Sequence, residues 1–397
     1  MARCIHCSLA HDDLMHFCPA TGKPIALGER MVGQTVLGRF KIVAILGGSS
    51  IGGVFKATDA ATGEAVTLKM LHPSLGRNPA VAQPYMAEVA KAAGIGHPAL
   101  GDIVAVAQDE SGSPVIVRRF LQGRTLEQVI EEHSDGMDPS LAAWLVSQVL
   151  GALQALHSES ITNDDLTPRD VFVVEGHGGE AVVKLAEIGE RHVKNALPPE
   201  EADRPANRPY RAPEQVREGK TEPATDIFSV GVILYRMLTG QFPWPDGIPA
   251  GAGRIPSFKD VSEIKPSVPK PLDYTVRRAL ALFPRDRFKS PVLFAEALRN
   301  LNLLPGGAPS YGSLVPGYRV EATGAAEQAA ADDGGTPPGT VKVPFDEADK
   351  TLQAFDPGQV VKQAAQSMSR TSRGMAAAKP SVPPPASPAP ASPAEAI

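Results

Sequence analysis

Apolar residues between positions 40 and 71 recur with the two-residue period of strands. FKIVAIL (40–46) and GGVFKATD (52–59) alternate or run β-rich, TGE (62–64) reads as a turn, and AVTLKML (65–71) follows. YMAEVAKAAGI (85–95) switches to helical spacing, and SPVIVRRFL (113–121) is strand-like again. From SLAAWLVSQVLGALQALH (140–157) onward the long periodic segments are mostly helical. A β-rich front and an α-helical back predict an α+β body of two lobes with a cleft between them.

Three regions follow from composition. Residues 1–24 form a small Cys/His-rich head, residues 35–304 the patterned body, and residues 305–397 a Pro/Ala/Ser-rich tail ending in SVPPPASPAPASPAEAI. Such a tail buries too little apolar surface to offset its chain entropy, so disorder is expected. GQVVKQAAQSMSR (358–370) could form a transient amphipathic helix, with plain disorder as the simpler reading.

All three cysteines, Cys4, Cys7 and Cys18, lie in the head. An odd number without an export signal argues against a disulfide framework. CIHC and FCPAT have the layout of a zinc ribbon's two knuckles, except that Thr21 stands where a fourth cysteine belongs. His11 or His16 could complete a Cys3His set, and His11 is favoured because it lies in the loop between the knuckles. The alternative is a decayed ribbon with spare thiols.

Bulk numbers narrow the function classes. Hydrophobic residues at 43% fill a core, and a net charge of −5 gives no reason to expect nucleic acid. No apolar run reads as a membrane span; FSVGVILYRML (228–238) is short and interrupted by Arg236. MARCIHC lacks an apolar export core, so a cytoplasmic location is expected.

From LGRFKIVAILGGSS to DRFKSPVLFAEALRNL, about 265 residues, motifs follow one another in an order that resembles bacterial Ser/Thr protein kinases of the eukaryotic-like type. Gly47-Gly48-Ser49-Ser50-Ile51-Gly52 resembles the glycine-rich loop over the nucleotide phosphates, with Ser49 at the middle glycine. VTLK (66–69) resembles V-A-I-K, which implies that Lys69 reaches the α/β-phosphates and pairs with Glu88. The resemblance also makes Val54 part of the nucleotide site, Asp226 the support of the catalytic-loop backbone, and Arg287 the partner of Glu214. It implies the kinase fold, with ATP and Mg²⁺ as cofactors.

The positions that carry chemistry depart from the family. H-R-D-L-K-P-x-N reads Asn163-Asp164-Asp165-Leu166-Thr167-Pro168-Arg169-Asp170, and D-F-G reads Glu187-Ile188-Gly189. Asp165 keeps the position that accepts the substrate hydroxyl's proton. The arginine before it is gone, the lysine that contacts the γ-phosphate is Thr167, and the metal-binding asparagine is Asp170. Asp170 and Glu187 could still hold Mg²⁺ through oxygen donors, although three carboxylates facing a polyanion with one cation fewer disfavour ATP. Alignment puts Arg118 at the usually apolar gatekeeper, where it points into the adenine pocket or takes Glu88 or Glu187 as partner. Residues 187–214 contain no Ser or Thr, so the phosphorylation switch and its arginine are absent together. The threonine before A-P-E is replaced by Asn207.

These readings together predict a catalytically impaired pseudokinase, a binding or scaffold module with at most weak nucleotide binding. The alternative is an active Ser/Thr kinase using Asp165 and Lys69. Expected partners are signalling proteins, such as an active kinase that phosphorylates the tail at Thr336, Thr340, Thr351, Ser387 or Ser392, or a phosphopeptide reader of the forkhead-associated type. For the head, metal analysis is expected to find zinc on the wild type and its loss in Cys18→Ser; a metal-free wild type retires the ribbon.

Overall fold

A computed structural model describes Cys18 and residues 29–49, 51–197, 205–249 and 256–315. Six strands build the front: β1 (Thr35–Val36), β2 (Phe40–Ser49), β3 (Gly52–Asp59), β4 (Ala65–Leu71), β5 (Ile103–Gln108) and β6 (Pro114–Arg119). They form one antiparallel sheet in the order β1-β2-β3-β4-β6-β5. Period-two burial puts Phe40, Ile42, Phe55, Leu68 and Val117 into one cluster. Each such side chain contributes about 1.5–3 kcal/mol by leaving water. At the hairpin between β2 and β3, Gly52 has φ of 153°, and a Cβ there would lie 2.0 Å from the carbonyl oxygen of Met70. Only glycine lets this tip fold down over β4.

Helix α1 (Pro79–Ala93) covers the other face of the sheet and begins before the helical spacing seen at 85–95. Asn78 caps it by accepting from the Ala80 N–H at 3.1 Å, and Pro79 occupies the first turn, where no N–H is needed. Tyr85 and Val89 of α1 pack with Leu71 and Ile116 of the sheet.

The back lobe is helical. Its helices include α2 (Leu126–Glu132), α3 (Pro139–Ser158), the one-turn α4 (Arg191–Lys194), α5 (Pro213–Glu218), α6 (Pro223–Thr239), α7 (Lys270–Ala279) and α8 (Pro291–Asn300). A small sheet, β7 (Gly123–Thr125), β8 (Val171–Glu175) and β9 (Ala181–Leu185), lies at the junction of the lobes. Its strands VFVVE and AVVKL interrupt the helical run expected from 140 onward. By length and composition α3 could cross a membrane, unlike the run at 228–238, which falls within α6. Here Leu145, Val149 and Leu153 of α3 are buried against Phe228 and Phe294 in the large core.

Two polar anchors hold this lobe. Asp226 on α6 accepts the backbone N–H groups of Asn163 and Asp164, each at 2.9 Å, and meets His157 Nε2 at 2.7 Å. Arg287, fully buried, makes a bidentate pair with Glu214 at 2.7 and 2.8 Å and donates to three backbone carbonyls.

The packed chain continues beyond position 304. The Ala181 N–H donates to Pro309 O at 2.8 Å, and Tyr311, Leu314 and Val315 are buried. The Pro/Gly-rich composition around them hides these three apolar anchors. Of the proposed zinc ligands only Cys18 is described, and it is buried; Cys4, Cys7 and His11, like His16, lie outside the described residues, as do the tail's five phosphoacceptors.

Truncating Arg287 leaves Glu214 without its partner in a nearly dry site. Arg287→Ala is therefore expected to cost about 3–5 kcal/mol in urea unfolding, and a loss under 1 kcal/mol would contradict this role.

Candidate functional site between the lobes

Strand register places the first cations. Lys69 on β4 lies opposite Ile116, and Thr67 lies opposite Arg118 on β6, so Lys69 and Arg118 share one face of the sheet. Both side chains are only 6% exposed. Beneath them Gly189 has φ of 81°, a left-handed turn that directs the next residue back under the sheet.

An alternating array of charge results. Arg118 Nη1 lies 3.1 Å from Glu187 Oε2, and the same oxygen accepts from Lys69 Nζ at 2.5 Å. Lys69 also contacts Glu190 Oε1, while Glu190 Oε2 is 2.7 Å from Lys194 Nζ. Lys194 in turn donates to Asp165 Oδ2 at 2.6 Å. Asn207 Nδ2 donates to that oxygen at 2.9 Å, and Arg211 Nε lies 3.6 Å from Asp165 Oδ1. Burial works against the charge on Lys69, but Glu187 and Glu190 hold it protonated above the ordinary lysine range. Glu187 and Glu190 are likewise pushed up by burial, yet end below the usual carboxylate range: Arg118 and Lys69 lower Glu187, and Lys194 and Lys69 lower Glu190.

The expected Lys69–Glu88 pair is absent. Glu88 Oε2 meets His192 Nε2 at 3.0 Å and Arg191 Nη2 at 3.5 Å, both on α4. Arg191 Nε also lies 3.3 Å from Asp164 Oδ2. The reason is geometric: Val193 of α4 is fully buried in the cluster under α1, which wedges a basic turn between Glu88 and Lys69. Of the two partners open to Arg118, the structure places Glu187 against it.

Gly47, Ser49, Gly52, Val54, Lys69 and Arg118 all line one cavity of about 620 Å³, together with Asp170 and Glu187. Glu88 and Asp165 lie off its wall, and Asp165 faces a neighbouring cavity of about 140 Å³. In the large cavity Lys69, Arg118 and Lys194 alternate with Glu187 and Glu190, while Arg119, which also touches the lining, is paired outward with Glu64 and Asp102. Lys194, brought in by α4, is the cation that reaches Asp165.

Oxygen donors of the right kind for Mg²⁺ are present, but their pairing does not fit a metal site. Asp170 Oδ2 accepts from the Thr167 backbone N–H (2.7 Å) and hydroxyl (2.9 Å), and Glu187 Oε2 is taken by Lys69 and Arg118. No group of three His, Cys, Asp or Glu arranged for a metal occurs among the described residues.

Sequence reasoning missed Glu190, Arg191, His192 and Lys194. Their signal was available in EIGERHVK, where four charged or titratable residues follow a glycine and Glu190 and Lys194 stand four apart on one helical turn.

A profile described as "Protein kinase domain" matches residues 40–285, well over half of the chain. This chain belongs to the protein kinase family. It is 30% identical over 269 residues to the serine/threonine-protein kinase Pkn1 of Myxococcus xanthus, covering 66% of this chain and 38% of that protein. It is 27% identical over 284 residues to serine/threonine-protein kinase PknB of Mycobacterium leprae, covering 68% and 44%. The chain thus spans less than half of either relative. The solved kinase domain of PknI from Mycobacterium tuberculosis shares the fold, with a TM-score of 0.53 and 22% identity over 68% of this chain and 97% of that one. Within this kinase fold the structural anchors are Asp226 and the Arg287–Glu214 pair, and Asn207 still reaches Asp165 although the family's threonine is gone.

Asp170 yields a pH test. Burial and then Glu190 push its carboxyl up to about 7, against the opposing pull of Lys194. A raised carboxyl pKa means that the fold disfavours the ionised form. The penalty is absent below the unfolded-state value, grows between roughly pH 4 and 7, and levels off above. Asp170→Asn keeps an oxygen for Thr167 and removes that ionisation. In EDTA it is expected to stabilise the protein by about 1–3 kcal/mol at pH 8 and by almost nothing at pH 4; equal effects at both would refute the assignment.

Proposed function

We propose that this chain is a catalytically impaired member of the protein kinase family, a signalling module that acts by binding partners and not by transferring phosphate. The supporting observation is the charge array itself. Lys69 is held between Glu187 and Glu190, while Glu88, its expected partner, is paired with α4. Phosphoryl transfer depends on positioning and on charge aimed at the transferred group. In this arrangement the ammonium meant for the nucleotide faces two carboxylates.

The proposal extends to partners. The tail, phosphorylated at the threonines and serines named above by an active kinase, would dock a reader with an arginine-lined phosphopeptide site. It also includes a zinc-holding head, supported by the C-x-x-C spacing and by the burial of Cys18. The second reading, an active Ser/Thr kinase, is favoured by one observation: Lys194 and Asn207 restore to Asp165 the two contacts that the motif had lost.

Incubation of the full chain with labelled ATP and Mg²⁺ or Mn²⁺ separates the two. The expected result is no transfer to itself or to a generic protein substrate above the level of Asp165→Asn. Robust transfer by the wild type that Asp165→Asn abolishes would establish the active enzyme instead.

A further inference from the structure

Glu190 occupies an unusual place. Its two oxygens are gripped by ammonium groups that arrive from opposite lobes, Lys69 from β4 and Lys194 from α4. Both lysines line the large cavity, as do Gly47, Ser49 and Gly52 of the hairpin above them. A carboxylate held between two ammoniums marks an anion seat, because an unpaired ammonium in so poorly hydrated a place is costly. Glu190 is the anion common to both lysines; Lys69 also meets Glu187, and Lys194 also meets Asp165.

We propose that Lys69 and Lys194 form a two-lysine clamp along the phosphates of a nucleotide, that Lys194 supplies from α4 the phosphate-binding cation absent at Thr167, and that Glu190 holds the clamp's place when no nucleotide is bound. The clamp rests on the family's nucleotide cleft and not on the loss of transfer.

The local chain suits such an exchange. Glu190 follows the left-handed Gly189 and has no side-chain cap at the start of α4, so its carboxylate can leave with little rearrangement of the backbone. Thr167 does not compete for the seat, because its hydroxyl and N–H are turned to Asp170. The remaining contact of Lys194, to Asp165 at 2.6 Å, ties the clamp to the residue in the catalytic-base position. A bound polyphosphate and Asp165 then share one lysine, an arrangement suited to binding a nucleotide without consuming it.

Calorimetric titration of the full chain with ATP and, separately, adenosine tests the clamp. Lys194→Met is expected to weaken ATP binding about tenfold while leaving adenosine unchanged, and adding Thr167→Lys to that variant should recover most of the loss. Glu190→Gln should tighten ATP binding, because it removes the competing anion and leaves both lysines in place. Should Lys194→Met fail to fold, Lys194→Arg and Glu190→Gln carry the decision: the first should keep ATP affinity, the second raise it. The proposal is overturned if Lys194→Met binds ATP as well as or better than the wild type, which would make Lys194 only a latch. Equal losses for ATP and adenosine, meaning a structural role, would also overturn it. So would absence of ATP binding by both the wild type and Glu190→Gln, an outcome that leaves the impaired-transfer reading standing. Phosphate transfer by the wild type would instead remove that reading and leave the clamp intact.

Discussion

Two ammonium groups, Lys69 and Lys194, stand within reach of a single carboxylate, Glu190, with all three side chains largely withdrawn from solvent. Neither could stay charged there without a counter-ion, and Glu190 could not stay ionised without them. The rest of the site arranges itself around this mutual requirement. Lys69 has Glu187 as a second anion, Glu187 has Arg118 as a second cation, and Lys194 passes the alternation on to Asp165. Because α4 carries Lys194 into the cleft, its other basic residues, Arg191 and His192, meet Glu88 and hold it away from Lys69. The buried Val193 fixes the turn that presents all three.

The scaffold and the cleft of this protein-kinase-family chain obey different constraints. Asp226 holds the loop that bears Asp165 through two backbone hydrogen bonds, and Arg287 pairs with Glu214 in a site closed to solvent. Losing either would leave buried polar groups unpaired, a cost the fold could not absorb cheaply. The cleft's charges obey a looser rule. Lys194 reaches Asp165 from α4, and Asn207, at the position of the family's threonine, donates to the same oxygen.

Four of the front lobe's six strands (β2, β3, β4 and β6), the helix over them and the helical back lobe could be read from residue spacing alone, whereas β1 and β5 were not read. Burial imposes a period of two or 3.6 on neighbouring residues, so the information is local. Where local signals conflicted, the reading fell short. The start of α1 at Pro79 lay ahead of the helical spacing at 85–95, the strands β8 and β9 were submerged in a helical stretch, and Tyr311 and Leu314 were masked by the Pro/Gly-rich sequence around them. Motif order likewise identified the cleft's glycines, Lys69 and Arg118, which line one cavity.

Charge pairing could not be read in that way. Lys69 finds Glu187 and Glu190 across 118 and 121 positions, and nothing in the spacing distinguishes them from Glu88. Which carboxylate wins depends on the turn at Gly189 and on the burial of Val193, and these are settled only when the lobes, α1 and α4 pack together. Amphipathic order is a property of a segment. A salt bridge is a property of a place, and the place exists only in the folded chain.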